Sequence, residues 1–314
     1  MAADGRGPGN RVPAGGGAGW RDRLTVGAYR LGSRAARALP EGAADRLPEL
    51  VAPVLSRMMA GRAEMISRHI GRAEGRPLGI TELRRDVNRA FESYARYYVE
   101  SFRLPEVPVA ELDSGIEVVG YEHLEAGRAA GRGVILALPH LGGWEWAGFW
   151  LARYKQQPVS VVVESLEPPE LFEWFRRLRE TLGMKVIPLD GRAAAEVAGA
   201  LGRNEVVCLL CDRDIGGSGV EVDFMGERTT LPAGPVMFGL RSGCPVLPTA
   251  VYFRPDGTHL GVVRPPLDLQ RRGRLRQDLA RGTQQLADEL AALIRRAPDQ
   301  WHLFQPNWPS DTGG

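Results

Sequence analysis

The sequence predicts an α/β fold, a single domain in which a central, mostly parallel or mixed sheet is flanked by helices on both faces. Three observations carry that expectation. From about residue 116 short β-branched runs alternate with helical stretches. Several of those runs are apolar without alternation, as strands covered on both faces should be. No internal repeat and no Pro/Ser linker divides residues 21–314 of this 314-residue chain, a length that one sizeable α/β domain can fill.

Residues 1–20 are rich in Gly and Pro and lack an apolar core segment, so they read as a disordered leader and not as a secretory signal. A first helix follows, with Leu24, Ala28, Leu31, Ala35 and Leu39 on one side and Arg23, Arg30, Arg34 and Arg37 in a stripe beside them. Such a helix either lies in a membrane interface or packs on the domain with its arginines solvated. Residues 82–104 give the strongest helical pattern: Leu83, Val87, Phe91, Tyr94, Tyr98 and Phe102 form one stripe, stopped by Pro105. Core packing is the plain reading of that stripe, the border of a lipid groove the other. Residues 21–105 are thus a set of N-terminal helices, the first of them a candidate for membrane docking.

Strands are expected at 116–119, 133–138, 159–163, 185–189, 205–210, 220–224, 245–253 and 259–263, with helices at 121–130, 143–154, 168–182, 191–202 and 233–243. A long helix over 271–298 and the segment WHLFQPNW (301–308) close the chain.

Composition removes several classes of function. A formal net charge of +2 gives no global basic field for nucleic acid. No window approaches the ~20 uninterrupted apolar residues that a membrane span needs. Cys208, Cys211 and Cys244 are odd in number and apolar in setting, which suits a reducing compartment. Cys208 and Cys211 form a CxxC, but three residues apart in a strand they point to opposite faces, so the reading is core and not metal. Lysine occurs only at Lys155 and Lys185, and with the abundant Ala and Gly this points to a GC-rich bacterial genome. No G-x-S-x-G elbow, P-loop or zinc-like histidine pairing is present.

The stretch PHLGGWE (139–145) carries the chemistry. In an unbroken helix His140 and Glu145 would be turned about 140° apart, so they meet only if the backbone changes state between them. Strand GVILALP, then H-L-G-G, then helix WEWAGFWLARYK supplies that change, since glycine adopts the dihedrals of a tight strand-to-helix turn. His140 then sits at the carboxyl end of a strand, and Glu145 in the first helical turn could accept a hydrogen bond from one imidazole nitrogen. The other nitrogen would be free to take a proton from a hydroxyl. Asp212 follows the strand EVVCLL as His140 follows GVILAL, at the edge where open α/β sheets place ligands. Turn chemistry with salt bridges to Arg213 is the plainer reading of Asp212 and Asp214. Arg228 precedes an expected helix start with Pro232 early, where helix amides and a guanidinium suit an anion.

His140-X4-Glu145 resembles the H-X4-D/E motif of glycerolipid-type acyltransferases. Together with YARYYVESFRLP (94–105), PHLGGWEWAG (139–148), VVCLLCDRDIGGSGVEVDFMGERTTLPAGP (206–235) and WHLFQPNW (301–308), about residues 21–310 resemble the bacterial lipid A lauroyl/myristoyl-type acyltransferases. Within that family the resemblance is to an actinobacterial branch that acts on phosphatidylinositol mannosides. It implies an acyl-CoA co-substrate, palmitoyl-CoA for preference, with no bound cofactor or metal. It further implies a phosphoinositide glycolipid acceptor, an anionic inner-membrane surface as partner, and a peripheral place on the cytoplasmic face of the plasma membrane. His140 becomes the base, with Glu145 or Asp212 as its carboxylate; that branch usually has Glu where this chain has Asp212, one methylene shorter. Arg179 matches an arginine facing the reaction centre, suited to a phosphate or a thioester oxyanion. Glu164 is a candidate for the acceptor sugar, and Arg213, Asp214 and Arg228 for other substrate contacts. A non-catalytic membrane-binding homologue, or an acyltransferase for another glycolipid, is the competing reading.

Overall fold

A computed structural model describes residues 20–164 and 168–312; the expected leader lies almost wholly outside them. The chain is an α/β domain of nine strands and twelve α-helices among the described residues. Four helices come first: α1 (Trp20–Ala38), α2 (Glu41–Met58), α3 (Ala60–Glu74) and α4 (Ile80–Arg103). There follow α5 (Val109–Ser114), β1 (Ile116–Val119), α6 (Tyr121–Ala129), β2 (Val134–Leu138), α7 (Trp144–Phe149), β3 (Val159–Val163), α8 (Pro169–Thr181) and β4 (Met184–Pro188). The rest of the chain forms α9 (Ala193–Gly202), β5 (Val206–Leu210), β6 (Val220–Phe224), β7 (Glu227–Leu231), α10 (Gly234–Ser242), β8 (Val246–Phe253), β9 (His259–Val263), α11 (Leu275–Ile294) and α12 (Pro309–Thr312).

Seven strands form one sheet in the order β1-β9-β8-β2-β5-β3-β4. All neighbours are parallel except β8 and β9. The middle strands are apolar on both sides because both sides are covered: all five residues of β2 and all eight of β8 are buried. Each such aliphatic side chain contributes ~1.5–3 kcal/mol by leaving water. One face carries α9, α10 and α11 over Ile135, Ala137 and Val207; the other carries α5, α6 and α7 over Leu136, Leu138 and Val206. Cys211 belongs to the first cluster and Cys208 packs against the second, on opposite faces as strand periodicity requires, and both are free thiols.

The β6–β7 hairpin and α1 depart from the sequence expectations. β6 leaves the sheet and pairs antiparallel with β7, a strand not anticipated because ERTTL is polar; the hairpin packs on α11. α2 forms despite Pro48 and Pro53 inside it. In α1 the packing side is Val26, Tyr29, Ser33 and Ala36, with Tyr29 set against Tyr98, Phe102 and Phe175. Of the stripe that would face either the domain or a membrane, Leu31 is 70% exposed and Ala35 is exposed with it, while Leu39 is half-buried. One tyrosine outweighs two alanines in buried area, and that settles the rotation of the helix.

Candidate active site

His140 stands just past the carboxyl end of β2, and the two glycines behind it have separate reasons. Gly142 has φ +61, and a Cβ there would lie 2.0 Å from the carbonyl oxygen of Val251; a Cβ on Gly143 would lie 2.5 Å from the His259 ring. The turn from strand to helix therefore runs flush against β8 and β9, closer than any side chain permits.

The imidazole is held by Asp212. Its Nδ1 lies 2.7 Å from Asp212 Oδ1, and the His140 backbone N–H donates to Oδ2 at 2.9 Å. Trp301 Nε1 donates to the same Oδ2 at 2.7 Å, while Asn307 Nδ2 donates to the Asp212 carbonyl at 3.0 Å. Asp212 is completely buried, and burial alone would raise its carboxyl; the charge and hydrogen bonds of His140 together with the Trp301 donor bring it below the ordinary aspartate value. An ionised Asp212 fixes the proton of His140 on Nδ1, so Nε2 carries the lone pair. The shorter acid reaches the imidazole because the backbone of His140 itself leans on it.

Glu145 does not serve His140. Its carboxylate accepts from Tyr97 Oη at 3.2 Å and from Arg179, whose Nε lies 3.0 Å from Oε1 and whose Nη2 bonds the same oxygen. Both members of the ion pair are buried. In so dry a place a forked guanidinium outbids an imidazole for the carboxylate, which is why the expected Glu145–His140 hydrogen bond gives way. Burial works against the charge of Arg179, but Glu145 holds it well above the ordinary value. Arg179 thus pairs its charge with Glu145, and both side chains line the cavity at this edge of the sheet.

The remaining expected residues divide. Arg213 Nη2 donates to Glu164 Oε2 at 2.6 Å on the rim of the site, so two candidates read separately form one pair. Asp214 accepts from Gly219 N at 2.7 Å, the turn chemistry of its plainer reading, and from Thr230 Oγ1 on β7 at 2.9 Å, while the salt bridge expected to Arg213 goes to Glu164 instead. Arg228 is displaced: it lies in β7, exposed, paired with Glu221 on β6, and is absent from the walls of the site because the helix start is built by Gly234 and Pro235 instead.

Four contributors were not singled out as site residues by the sequence, although three of them lie in the block WHLFQPNW. Trp301 and Asn307 carry no periodic signal and act on a residue about ninety positions earlier. Tyr97 falls beside the aromatic stripe of α4 and not on it. His302 donates its backbone N–H to the His140 carbonyl at 2.7 Å and shares a hydrogen bond between Nε2 and Ser93 Oγ at 2.8 Å. Burial, then the neighbouring His140, lowers the His302 imidazole to about 3, so it is neutral.

A cavity of about 1330 Å3 opens on this edge of the sheet and reaches His140, Glu145, Glu164, Arg179, Arg213 and Asp214. Tyr94, Tyr97 and Tyr98 of α4 also line it, so that helix packs the core with Val87, Phe91 and Phe102 and walls the cavity with its tyrosines. A base with a free nitrogen, aimed by a buried carboxylate and set beside a long apolar cavity, suits proton removal from a hydroxyl on an amphiphile.

The chain matches the bacterial lipid A biosynthesis acyltransferase family model over residues 23–310. It is 38% identical over 305 residues to the phosphatidylinositol mannoside acyltransferase of Mycolicibacterium smegmatis, covering 96% of this chain and 95% of that one. A protein of the same name from Mycobacterium tuberculosis is also 38% identical, over 291 residues that cover 90% of this chain and 88% of the relative. With the strand-borne histidine and the sheet around it, these matches establish that the chain belongs to the bacterial lipid A biosynthesis acyltransferase family.

Proposed function

We propose that this protein moves a long fatty acyl chain, palmitoyl for preference, from coenzyme A to a mannose hydroxyl of a phosphatidylinositol mannoside. The observation that carries the reading is the 2.7 Å contact between His140 Nδ1 and buried Asp212 at the mouth of the cavity. Nε2 of His140 takes the hydroxyl proton as the alcohol oxygen bonds to the thioester carbonyl carbon. The carbon–sulfur bond then breaks, and the leaving thiolate takes the proton back from the imidazolium. Asp212 stays ionised throughout and stabilises the imidazolium. Relatives named for the mannoside reaction support the acceptor, and Glu164 with Arg213 at the rim fits a sugar bearing hydroxyls near a phosphate.

Association with an anionic membrane surface at the cytoplasmic face belongs to the same proposal. No helix among the described residues is long and apolar enough to cross a membrane. Yet Leu31 on α1, and Leu50, Val54 and Met58 one turn apart on α2, are exposed, with Arg30, Arg34, Arg46 and Arg57 exposed alongside. Apolar residues among arginines on surface helices fit the headgroup boundary.

Purified protein given labelled palmitoyl-CoA and a phosphatidylinositol mannoside should transfer label to the glycolipid. His140→Ala, shown to be folded, should lose at least about a hundredfold in rate. An unchanged rate in that variant removes the mechanism; transfer to other glycolipids but to no mannoside removes the acceptor.

A further inference from the structure

Residues 300–302, which belong to no strand of the sheet, run along the turn that carries the base. Gly142 N–H donates to the Gln300 carbonyl at 3.0 Å, His302 N–H donates to the His140 carbonyl at 2.7 Å, and Leu141 forms an antiparallel bridge with Trp301. That pairing presents the indole of Trp301 to Asp212, whose Oδ2 accepts the Nε1–H at 2.7 Å while Oδ1 faces His140.

The indole is fixed from both sides. Before it, Gln300 is anchored to the Phe253 backbone, accepting its N–H at 2.7 Å and donating to its carbonyl at 3.0 Å. After it, His69 holds the Leu303 carbonyl at 2.8 Å, and the ring centroids of His69 and Trp308 lie 5.3 and 6.2 Å from that of Trp301. Any flat apolar ring could fill such a slot. A buried N–H aimed at a buried carboxylate is a charge-assisted hydrogen bond as well, and packing alone gives no reason for it. Asn307 differs in kind, since it grips the backbone carbonyl of Asp212 and leaves the carboxylate to the other donors.

We propose that Trp301 is a positioning residue for the reaction: its N–H occupies one oxygen of Asp212 and keeps the negative charge there, so the shared proton rests on His140 Nδ1 and Nε2 stays bare. The assignment rests on the His140–Asp212 reading given above and deepens it. A donor that favours the anionic acid makes the pair as a whole less ready to take up a further proton. Its loss therefore moves proton uptake by the pair to higher pH. The neighbours do not mask that displacement. Burial pushes His302 down to about 3 and pushes the Cys211 thiol and the Tyr97 phenol up, so all three stay neutral. The Glu145–Arg179 and Glu164–Arg213 pairs and Asp214 make no contact with the indole and are the same with or without it.

The nitrogen resonances of isotope-labelled histidine rings, followed against pH in the whole protein and assigned by the set missing in His140→Ala, read the pair without any transfer. Wild type should show Nδ1 protonated and Nε2 bare on the alkaline side of its midpoint. Trp301→Phe, which keeps a ring and removes the N–H, should raise the midpoint by roughly half a pH unit. Asn307→Leu, which frees the backbone and spares the carboxylate, should leave it in place. In steady state with palmitoyl-CoA and a phosphatidylinositol mannoside, Trp301→Phe should lower kcat about tenfold with KM within about twofold. The acid limb of its kcat/KM profile should move with the midpoint. Should Trp301→Phe fail to fold, benzothienylalanine at position 301, with sulfur in place of the N–H and the same shape, should give the same displacement. An unmoved midpoint in the folded variant, or an equal displacement in Asn307→Leu, overturns the assignment. A displaced midpoint in a protein that acylates no mannoside would sink the proposed acceptor and leave Trp301 in its role. Intact mannoside acylation with an unmoved midpoint would do the reverse.

Discussion

Three donors converge on the carboxylate of Asp212, two from His140 and one from Trp301, and they satisfy an acid that is itself fully buried. Glu145 and Arg179 form a second buried pair, which makes no hydrogen bond to His140 and ties α7 to α8. Glu145→Gln leaves a buried guanidinium without its counter-charge and should lower unfolding stability by ~3–5 kcal/mol. Glu145→Leu/Arg179→Met should recover most of that loss. A denaturant midpoint unmoved in the single variant would show the pair to be idle. His140 was legible in the sequence because a histidine and two glycines between a strand and a helix have few other uses. The sequence leaves Glu145 and Asp212 both open as the carboxylate of His140, because nothing in it pairs Glu145 with Arg179, a candidate in its own right 34 positions away.

Elements with a clean period were legible, and those whose partner decides their role were not. β2, β5 and β8 follow from their β-branched runs, whereas β7 needs β6 to be a strand at all. α1 shows how tertiary packing overrides a stripe: Tyr29 takes the inner side and Leu31 is left outside, between Arg30 and Arg34. Arg37 is occupied elsewhere, donating to the Phe102 carbonyl at 2.8 Å. The outward face is therefore the one to alter. Arg30→Glu/Leu31→Asn/Arg34→Glu should sediment less with anionic vesicles than wild type, with the difference shrinking as salt rises. Equal sedimentation at low salt would reject α1 as a docking element.

Across the whole molecule, the C-terminal segment is what joins the N-terminal helices to the site. His69 on α3 holds the Leu303 carbonyl through Nδ1 at 2.8 Å and faces Asp311 through Nε2, while His302 is held by Ser93 on α4. Burial lowers both imidazoles in the folded state, His302 to about 3 from 6.5. The unfolded chain then takes up these protons first, so their contribution to stability is full above pH 6.5 and is lost as pH falls. For His302 alone the loss from pH 6.5 to 4.5 is about 2 kcal/mol. Denaturant unfolding across that window should show stability falling with acid, and His302→Asn should reduce the slope by about one proton. A flat profile in wild type would mean that the two rings titrate freely.

The grip of Trp301 and Asn307 on Asp212 has a consequence for biosynthesis. A ribosome delivers the sheet, the histidine and the acid well before it delivers the two side chains that steady the acid. A nascent or prematurely terminated chain can therefore fold most of its scaffold yet present a loosely aimed base. On the acyl-transfer reading, truncated products should be silent and a thioester spent only by the finished polypeptide.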